Sequence, residues 1–184
     1  MAYVEKSVTC VKGEIHNLLA IMRFMPNWWP SPELYMAEVK DLFDSLIVCS
    51  SISSVNFYTP FLRLIKAPDV CGPITGVALS AIHKFLLYGF VDTGTAINRI
   101  VKGVVKCAFP LQHTNADEVV IMKLLHVFLE CLRIPLSGTI SDENLWSILE
   151  KCFSIYERDK VTELLKRTTQ NTLMQMFLVI FGRM

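Results

Sequence analysis

Apolar residues recur at three- and four-residue intervals along most of the chain, which is the spacing of one face of an α-helix. The first such segment runs from about Tyr3 to Met25, and the last, whose predicted inner face includes Leu164 and Phe177, runs from about Thr162 to Phe181. Prolines and short polar runs separate eight segments of this kind. No segment alternates between apolar and polar residues as a half-buried strand would. The pattern therefore predicts an all-α chain of about eight helices.

The most apolar segment follows Gly72-Pro73 and ends at about Tyr88. Proline is favourable in the first turn of a helix, because the N–H that it lacks would have no partner there. Few polar residues, among them Lys84, interrupt the apolar surface of this predicted helix. A helix that is apolar on most sides is normally buried by several neighbours. We therefore predict that it is the central helix of a stack, with the nearly apolar segment Ala116–Arg133 beside it.

Residues that bind free backbone N–H groups mark several predicted helix starts. Ser31, Asp92 and Ser141 each precede a segment with helical periodicity. Asn115 and Glu118 are three residues apart, which fits a capping box at the start of the sixth helix. The boundaries are thus predicted by local sequence.

Helices joined by short breaks, without a strict sequence repeat, are typical of an α-solenoid with degenerate repeats. A compact helical bundle is the alternative architecture. The length of 184 residues is sufficient for one domain with a full core. We therefore predict a single domain that spans residues 1–184.

The composition excludes several classes of protein. Hydrophobic residues make up 52% of the chain and charged residues 19%, which argues against disorder. The net charge of +1, without a basic block, argues against nucleic-acid binding. No stretch of about 18 residues is both continuously apolar and free of charge, so we expect no transmembrane segment, and no helix is expected to combine strong amphipathicity with a basic polar face. Charges in the first apolar segment argue against a signal peptide, and a soluble, cytosolic protein is expected.

The side chains that could carry catalysis are scattered. The six cysteines show no spacing typical of a metal or redox site, and we expect them to be reduced core side chains. A nucleophile pair of Cys107 and His113 would require a reactive thiol of low pKa. No phosphate-binding loop is present. We therefore expect no enzymatic activity, no cofactor and no metal.

Three positions stand out as candidates for contacts with a partner. Trp28 and Trp29 lie next to each other between two prolines, and they could anchor a partner or fill the end of the stack where the first two helices turn. Lys84 could extend along the apolar surface towards solvent or form half of an ion pair across an interface. These alternatives stay open at the level of the residues alone.

Two blocks of sequence, Gly72–Leu86 and Asp117–Leu125, resemble the N-terminal dimerisation and cyclophilin-binding (DCB) domain of the large Arf guanine-nucleotide exchange factors. The resemblance is closer to the Golgi brefeldin-A-resistance branch of that family. Gly13–Ile15, Thr59–Ile65 and Glu163–Arg167 resemble the opening, third and last helices of the domain, in the same order. The likeness extends over almost the whole chain.

The resemblance implies an armadillo-like, right-handed α-solenoid with a non-catalytic, regulatory role. In the family this domain forms homodimers, contacts the homology region that follows it, and helps to control the exchange domain in vesicle-mediated transport at the Golgi. A lysine in the first block and an acid in the second are linked with self-association, and they fall on Lys84 and Glu118. A cyclophilin or small GTPases are further partners that the resemblance implies. The alternative is a free-standing helical-repeat adaptor for trafficking proteins.

Two segments depart from the family pattern. Asp92–Thr95 is shorter than the usual insert, and His113–Ala116 replaces a more acidic loop that contains proline. The catalytic exchange domain and the Asn-Tyr-Asp-Cys signature of the homology region are not among these residues. We therefore expect that this chain does not catalyse nucleotide exchange and that it acts at Golgi membranes as part of a larger protein.

Overall fold

A computed structural model describes residues 2–24, 32–48, 56–91, 93–108, 115–134, 140–158 and 161–182. These residues form eight α-helices and no β-strand. The predicted all-α class is confirmed, and every helix boundary that we predicted explicitly lies within three residues of the observed one. The helices are α1 (Ala2–Phe24), α2 (Pro32–Val48), α3 (Thr59–Lys66), α4 (Gly72–Leu87), α5 (Gly94–Val105), α6 (Asn115–Arg133), α7 (Asp142–Tyr156) and α8 (Glu163–Phe181).

The helices pack as four successive pairs in two layers. The members of each pair contact one another: α1 with α2, α3 with α4, α5 with α6, and α7 with α8. One layer consists of α1, α4, α6 and α8, and the other of α2, α3, α5 and α7, each in that order. Contacts mainly to the next pair are typical of stacked repeats. This connectivity favours the solenoid over the compact bundle, while its right-handed twist stays a prediction.

The apolar helix α4 is central, as predicted. It contacts α1, α3 and α6, and ten of its 16 residues are buried. The ring of Phe85 meets the rings of Phe57 and Phe61 edge to face, with centroids 5.1 and 5.3 Å apart, which is a favourable aromatic geometry. No described helix is long and apolar enough to cross a membrane. Most apolar side chains of α4 thus pack against neighbouring helices.

Helices α4 and α6 run parallel and approach each other closely. A Cβ atom added to Gly76 would lie 3.2 Å from a methyl group of Val120, so glycine permits the approach. Seven residues further along α4, the ring of His83 lies 6.2 Å from the ring of His126. Residue numbers increase from the first contact to the second on both helices, so the helices are parallel.

Helices α6 and α8 are also parallel. Glu118 in the first turn of α6 contacts Thr162 immediately before α8. At the other end of α6, Arg133 donates a hydrogen bond to the side chain of Gln175 at 2.7 Å. Three neighbouring helices, α4, α6 and α8, therefore point in one direction.

The helix starts are close to those predicted, but one cap differs. The side chain of Thr93 accepts a hydrogen bond from a backbone N–H in the first turn of α5 at 3.3 Å. Thr93 thus takes the role predicted for Asp92, which lies outside the described residues. Ser141 caps α7 as predicted, and Ser31 also lies outside the described residues.

Candidate functional site

Lys84 connects the central helix to α1. Its Nζ donates a hydrogen bond to Oε1 of Glu14 at 2.5 Å. Glu14 is almost buried, whereas the side chain of Lys84 is 43% exposed. The hydrogen bond to Glu14 raises the pKa of Lys84, which keeps its ammonium charged. The lysine therefore fixes two helices together and still presents part of its side chain to solvent.

The exposed part of Lys84 lies beside apolar side chains. Leu87 and Tyr88 follow at helical spacing on the same face, and they are 54% and 52% exposed. We call these three residues the Lys84 patch. It lies at the C-terminal end of α4 and combines one cation with two large apolar side chains.

Glu118 caps a helix other than its own. Its carboxylate accepts a hydrogen bond from the backbone N–H of Thr162 at 2.7 Å and another from the hydroxyl of Thr162. Thr162 in turn accepts a hydrogen bond from the N–H of Leu165 at 3.3 Å. In a capping box, an acid at the third helical position binds the N–H of the capping residue. That position in α8 is Leu165, and Glu118 of α6 binds the N–H instead.

The capping box predicted at the start of α6 stays a prediction, because the side chain of Asn115 lies outside the described part of the chain. Asn115 is the first residue within the helix, and both oxygens of Glu118 bind Thr162. Next to this contact in the chain, Val119 and Leu164 are 49% and 64% exposed. We call Glu118, Val119 and Leu164 the Glu118 patch.

Lys84 lies in the last turn of α4 and Glu118 in the first turn of the parallel helix α6, at opposite edges of their layer. Lys84 follows His83 by one residue, and Glu118 precedes His126 by eight, while the two histidines are level with each other. This register separates the two charged residues by roughly 13 Å along the helix axes, at 1.5 Å per residue. The fold does not bring them together within one chain.

The tryptophans predicted as a partner anchor, Trp28 and Trp29, lie outside the described residues. Sequence analysis did not single out Trp146, which lies on α7 and is 70% exposed. The helical spacing could have predicted this exposure. The buried face of α7 includes Ile148 and Cys152, four residues apart, and position 146 lies off that face.

The last helix carries an exposed apolar face. Met174, Phe177, Leu178 and Phe181 lie at the spacing i, i+3, i+4 and i+7 and are all exposed, and we call them the α8 stripe. The rings of Phe177 and Phe181 stack with centroids 6.2 Å apart. Phe177 and Leu164 were predicted on the inner face, and this assignment is wrong: the buried face comprises Leu165, Thr169, Thr172, Leu173 and Met176.

Three buried thiols, those of Cys107, Cys131 and Cys152, do not have the properties of nucleophiles. Burial raises the pKa of Cys107 to about 12, which contradicts the low pKa that a Cys107–His113 pair would need, and His113 lies outside the described residues. Burial also raises the pKa of Cys131 and Cys152 to about 12. Within the described part of the chain, no cluster of three or more potential metal ligands occurs. The prediction that the cysteines lie in the core is confirmed for Cys71, Cys107, Cys131 and Cys152, whereas Cys10 is only partly buried and Cys49 lies outside the described residues.

Helix pairs stacked in two layers, with exposed apolar and charged patches, define an α-helical repeat domain. Residues 40–184 match the family of the dimerisation and cyclophilin-binding (DCB) domain, described as Mon2/Sec7/BIG1-like. The match covers most of the chain, and the chain belongs to this family. The resemblance found in the sequence is thereby confirmed.

Curated relatives agree with the family. Over 95% of the chain, it is 28% identical to the ARF guanine-nucleotide exchange factor GNOM of Arabidopsis thaliana. Over 80% of the chain, it is 31% identical to a Golgi-specific brefeldin A-resistance guanine nucleotide exchange factor 1 homolog of Caenorhabditis elegans. The chain spans only 13% and 8% of the lengths of these two relatives.

Proposed function

We propose that the chain is a single, non-catalytic regulatory domain of a large Arf guanine-nucleotide exchange factor. It forms a homodimer and docks onto the homology region that follows it in the parent protein, which acts in vesicle traffic at Golgi membranes. A cyclophilin or a small GTPase is a further partner of its exposed surfaces. Membership of the DCB family and relatives named as exchange factors support this role. The observation that carries it is the α8 stripe, an apolar surface on the last helix of the stack.

The placement of the two charged patches supports a two-fold dimer. In such a dimer one residue contacts a second on the other copy, and the second contacts the first in return. Lys84 and Glu118 lie roughly 13 Å apart along the helix axes in one layer, so two antiparallel copies would pair each lysine with the glutamate of the other copy. Each charge also retains a hydrogen bond within its own chain. Both residues would thus contribute to the fold and to the dimer.

The charges alone would give a weak dimer. An exposed ion pair contributes about 0.2–1 kcal/mol, so two pairs supply at most about 2 kcal/mol. A dissociation constant of 1 µM corresponds to about 8 kcal/mol. The remainder would come from burying the apolar members of the patches, Leu87, Tyr88, Val119 and Leu164, while the charges determine the register.

Sedimentation velocity over a concentration series, with complementary charge reversal, tests this dimer. Lys84→Glu and Glu118→Lys each place like charges at both contacts, and each variant alone should dissociate at concentrations at which the unchanged chain is dimeric. An equimolar mixture restores opposite charges at both contacts and should recover the dimer. Circular dichroism checks that each variant is folded. Dimers of unchanged strength in both single variants would reject these contacts, and failure of the mixture to recover would reject the antiparallel pairing.

The α8 stripe is the proposed docking surface for the following homology region. End helices of a solenoid normally have a polar outer face, whereas four large apolar side chains are exposed here on one side of α8. Burying one such side chain contributes about 1.5–3 kcal/mol when it was fully exposed before. The stripe is therefore suited to one more layer of helix packing. In the relatives, at least 87% of the length lies outside the part that this chain spans, and this is where we place the docking partner.

The docking proposal is tested by supplying the homology region of the parent protein as a separate chain and measuring its affinity by calorimetry. Leu178→Asp introduces a charge into the stripe and should weaken binding at least tenfold. Leu34→Asp is the matched control, because Leu34 is a similarly exposed leucine on α2, and it should bind within twofold of the unchanged chain. Equal affinities for all three chains would reject the stripe as the docking surface. A chain that is monomeric and does not bind the homology region would instead favour the free-standing adaptor.

A further inference from the structure

A basic cleft opens between the end of α3 and the outer face of α5. Its volume is about 440 Å³. Four of the residues that line it are cations, and none is an acid. The cations are Lys66, Arg99, Lys102 and Lys106.

Close packing of the two helices brings these cations together. A Cβ atom added to Gly103 would lie 3.0 Å from the side chain of Leu62, so α5 approaches α3 as closely as a glycine allows. The backbone N–H of Ala108 donates a hydrogen bond to the carbonyl of Ile65 at 3.4 Å. These two contacts hold Lys66, 33 residues before Arg99 in the chain, beside the cations of α5.

No described carboxylate pairs with a cation of the cleft. None of the four cations forms an ion pair with another described residue. Only two acids occur between positions 56 and 108: Asp69, which interacts with Tyr35, and Asp92, which lies outside the described residues. Asp142 and Glu143 begin α7 close to Asn98, which lines the cleft, but they form no ion pair with its cations. The four cations therefore lack a charged partner in the described part of the chain.

The cations of α5 and of its C-terminal cap, Lys106, lie on one face of that helix. Arg99, Lys102 and Lys106 follow each other at intervals of three and four residues and extend over about 10 Å. The opposite face, which includes Ile97 and Ile100, is fully buried. Helix α5 thus combines strong amphipathicity with a basic polar face, contrary to the expectation from the sequence. Since its apolar face is already part of the core, the basic face can bind an anion but the helix cannot insert into a bilayer.

We infer that the basic cleft binds a small anion with several phosphate groups, of the class of a phosphorylated inositol ring, either free or as the headgroup of a membrane lipid. Arginine binds phosphate through two parallel hydrogen bonds, and lysine provides a compact charge. A single phosphate is too small to contact all four cations, whereas a ring with several phosphates matches their spread. A nucleic acid would need a longer basic track to gain comparable affinity, and the chain as a whole carries a net charge of only +1.

The test uses the 184-residue chain, inositol trisphosphate as the free probe, and two kinds of phosphatidylcholine vesicle. One vesicle contains phosphatidylinositol bisphosphate, and the other contains phosphatidylserine at the same total charge. Arg99→Gln with Lys102→Gln removes two cations of the cleft. Arg23→Gln with Lys40→Gln is the matched control, because these exposed cations on α1 and α2 lie outside the cleft.

We expect the cleft variant to lose at least tenfold in affinity and the control to change by less than twofold, at physiological salt. Binding to inositol trisphosphate without preference for the bisphosphate vesicles identifies a free anion, and preference for those vesicles over phosphatidylserine identifies a lipid headgroup. Three results would overturn the inference: equal binding by the unchanged chain and the cleft variant, equal losses in both variants, or tighter binding of a short single-stranded DNA than of either inositol ligand. Equal binding includes the case in which neither the unchanged chain nor the cleft variant binds any inositol ligand.

Discussion

The contact between Glu118 and Thr162 joins α6 to the start of α8 and can be measured by a double-mutant cycle. Glu118→Ala removes the acceptor of two hydrogen bonds from Thr162. Thr162→Val removes the hydroxyl that bonds to Glu118 and to the N–H of Leu165. The double variant removes both partners of the interaction between the side chains.

The expected magnitude follows from the kinds of bond that are lost. A hydrogen bond to a charged group contributes about 1.5–3 kcal/mol when shielded from water, and this contact is exposed, so we expect about 1–2 kcal/mol for Glu118→Ala. Loss of a capping threonine costs about 1 kcal/mol. The loss of unfolding free energy in the double variant should be smaller than the sum of the two single losses by about 1 kcal/mol, because both changes remove the same interaction. For a chain of this size, 1 kcal/mol lowers Tm by roughly 2–4 °C.

Urea unfolding followed by circular dichroism provides these free energies, at protein concentrations low enough for a monomer. Gln175→Ala, which removes a different contact between α6 and α8, is the control and should be additive with Thr162→Val. Strict additivity of Glu118→Ala and Thr162→Val would refute the shared cap. An unchanged monomer stability in Glu118→Ala, with a loss only in the dimer, would assign the glutamate to the interface alone.

Three further predictions concern the packing of the core and the reactivity of the thiols. Gly103→Ala should lower the free energy of unfolding by about 1–3 kcal/mol through overpacking, whereas Gly13→Ala, where a Cβ atom meets nothing within 4 Å, should raise it by up to about 1 kcal/mol. Phe85→Ala should cost about 3–5 kcal/mol in denaturant unfolding, since the ring is fully buried; a loss below 1 kcal/mol would contradict its central position. Cys107 and Cys131, whose pKa burial raises to about 12, should resist alkylation at pH 8 until the chain unfolds, and rapid labelling of the native chain by mass spectrometry would contradict that burial.

Features determined by neighbouring residues were predictable from the sequence. Pro73 indicated the start of the central helix, and Ser141 was correctly predicted as a cap because its partner lies only three residues away. The long apolar run of α4 predicted its central position, since a helix of that kind needs neighbours on several sides. Helix starts, local caps and the burial of a strongly apolar helix can therefore be predicted from local spacing and composition.

Features that depend on distant residues were not predictable in the same way. Thr162 was recognisable as a helix start, but the acid that completes its cap, Glu118, lies 44 residues earlier. The basic cleft joins Lys66 to cations on α5, while the whole chain is nearly neutral. The wrong assignment of Phe177 has a related cause. Periodicity reports apolar residues on a helix, but the partners that cover them depend on the position of the helix in the stack.

Because α4, α6 and α8 are parallel, their helix dipoles point in the same direction. Each helix carries partial positive charge at its N-terminus and partial negative charge at its C-terminus, so parallel neighbours place like partial charges side by side. Glu118 and Glu163 stand in first turns at one edge, and Lys84 and Arg133 in last turns at the other. These side chains offset the partial charges of the helix ends at both edges. A second copy laid against the layer in the opposite direction would meet each edge with its complement.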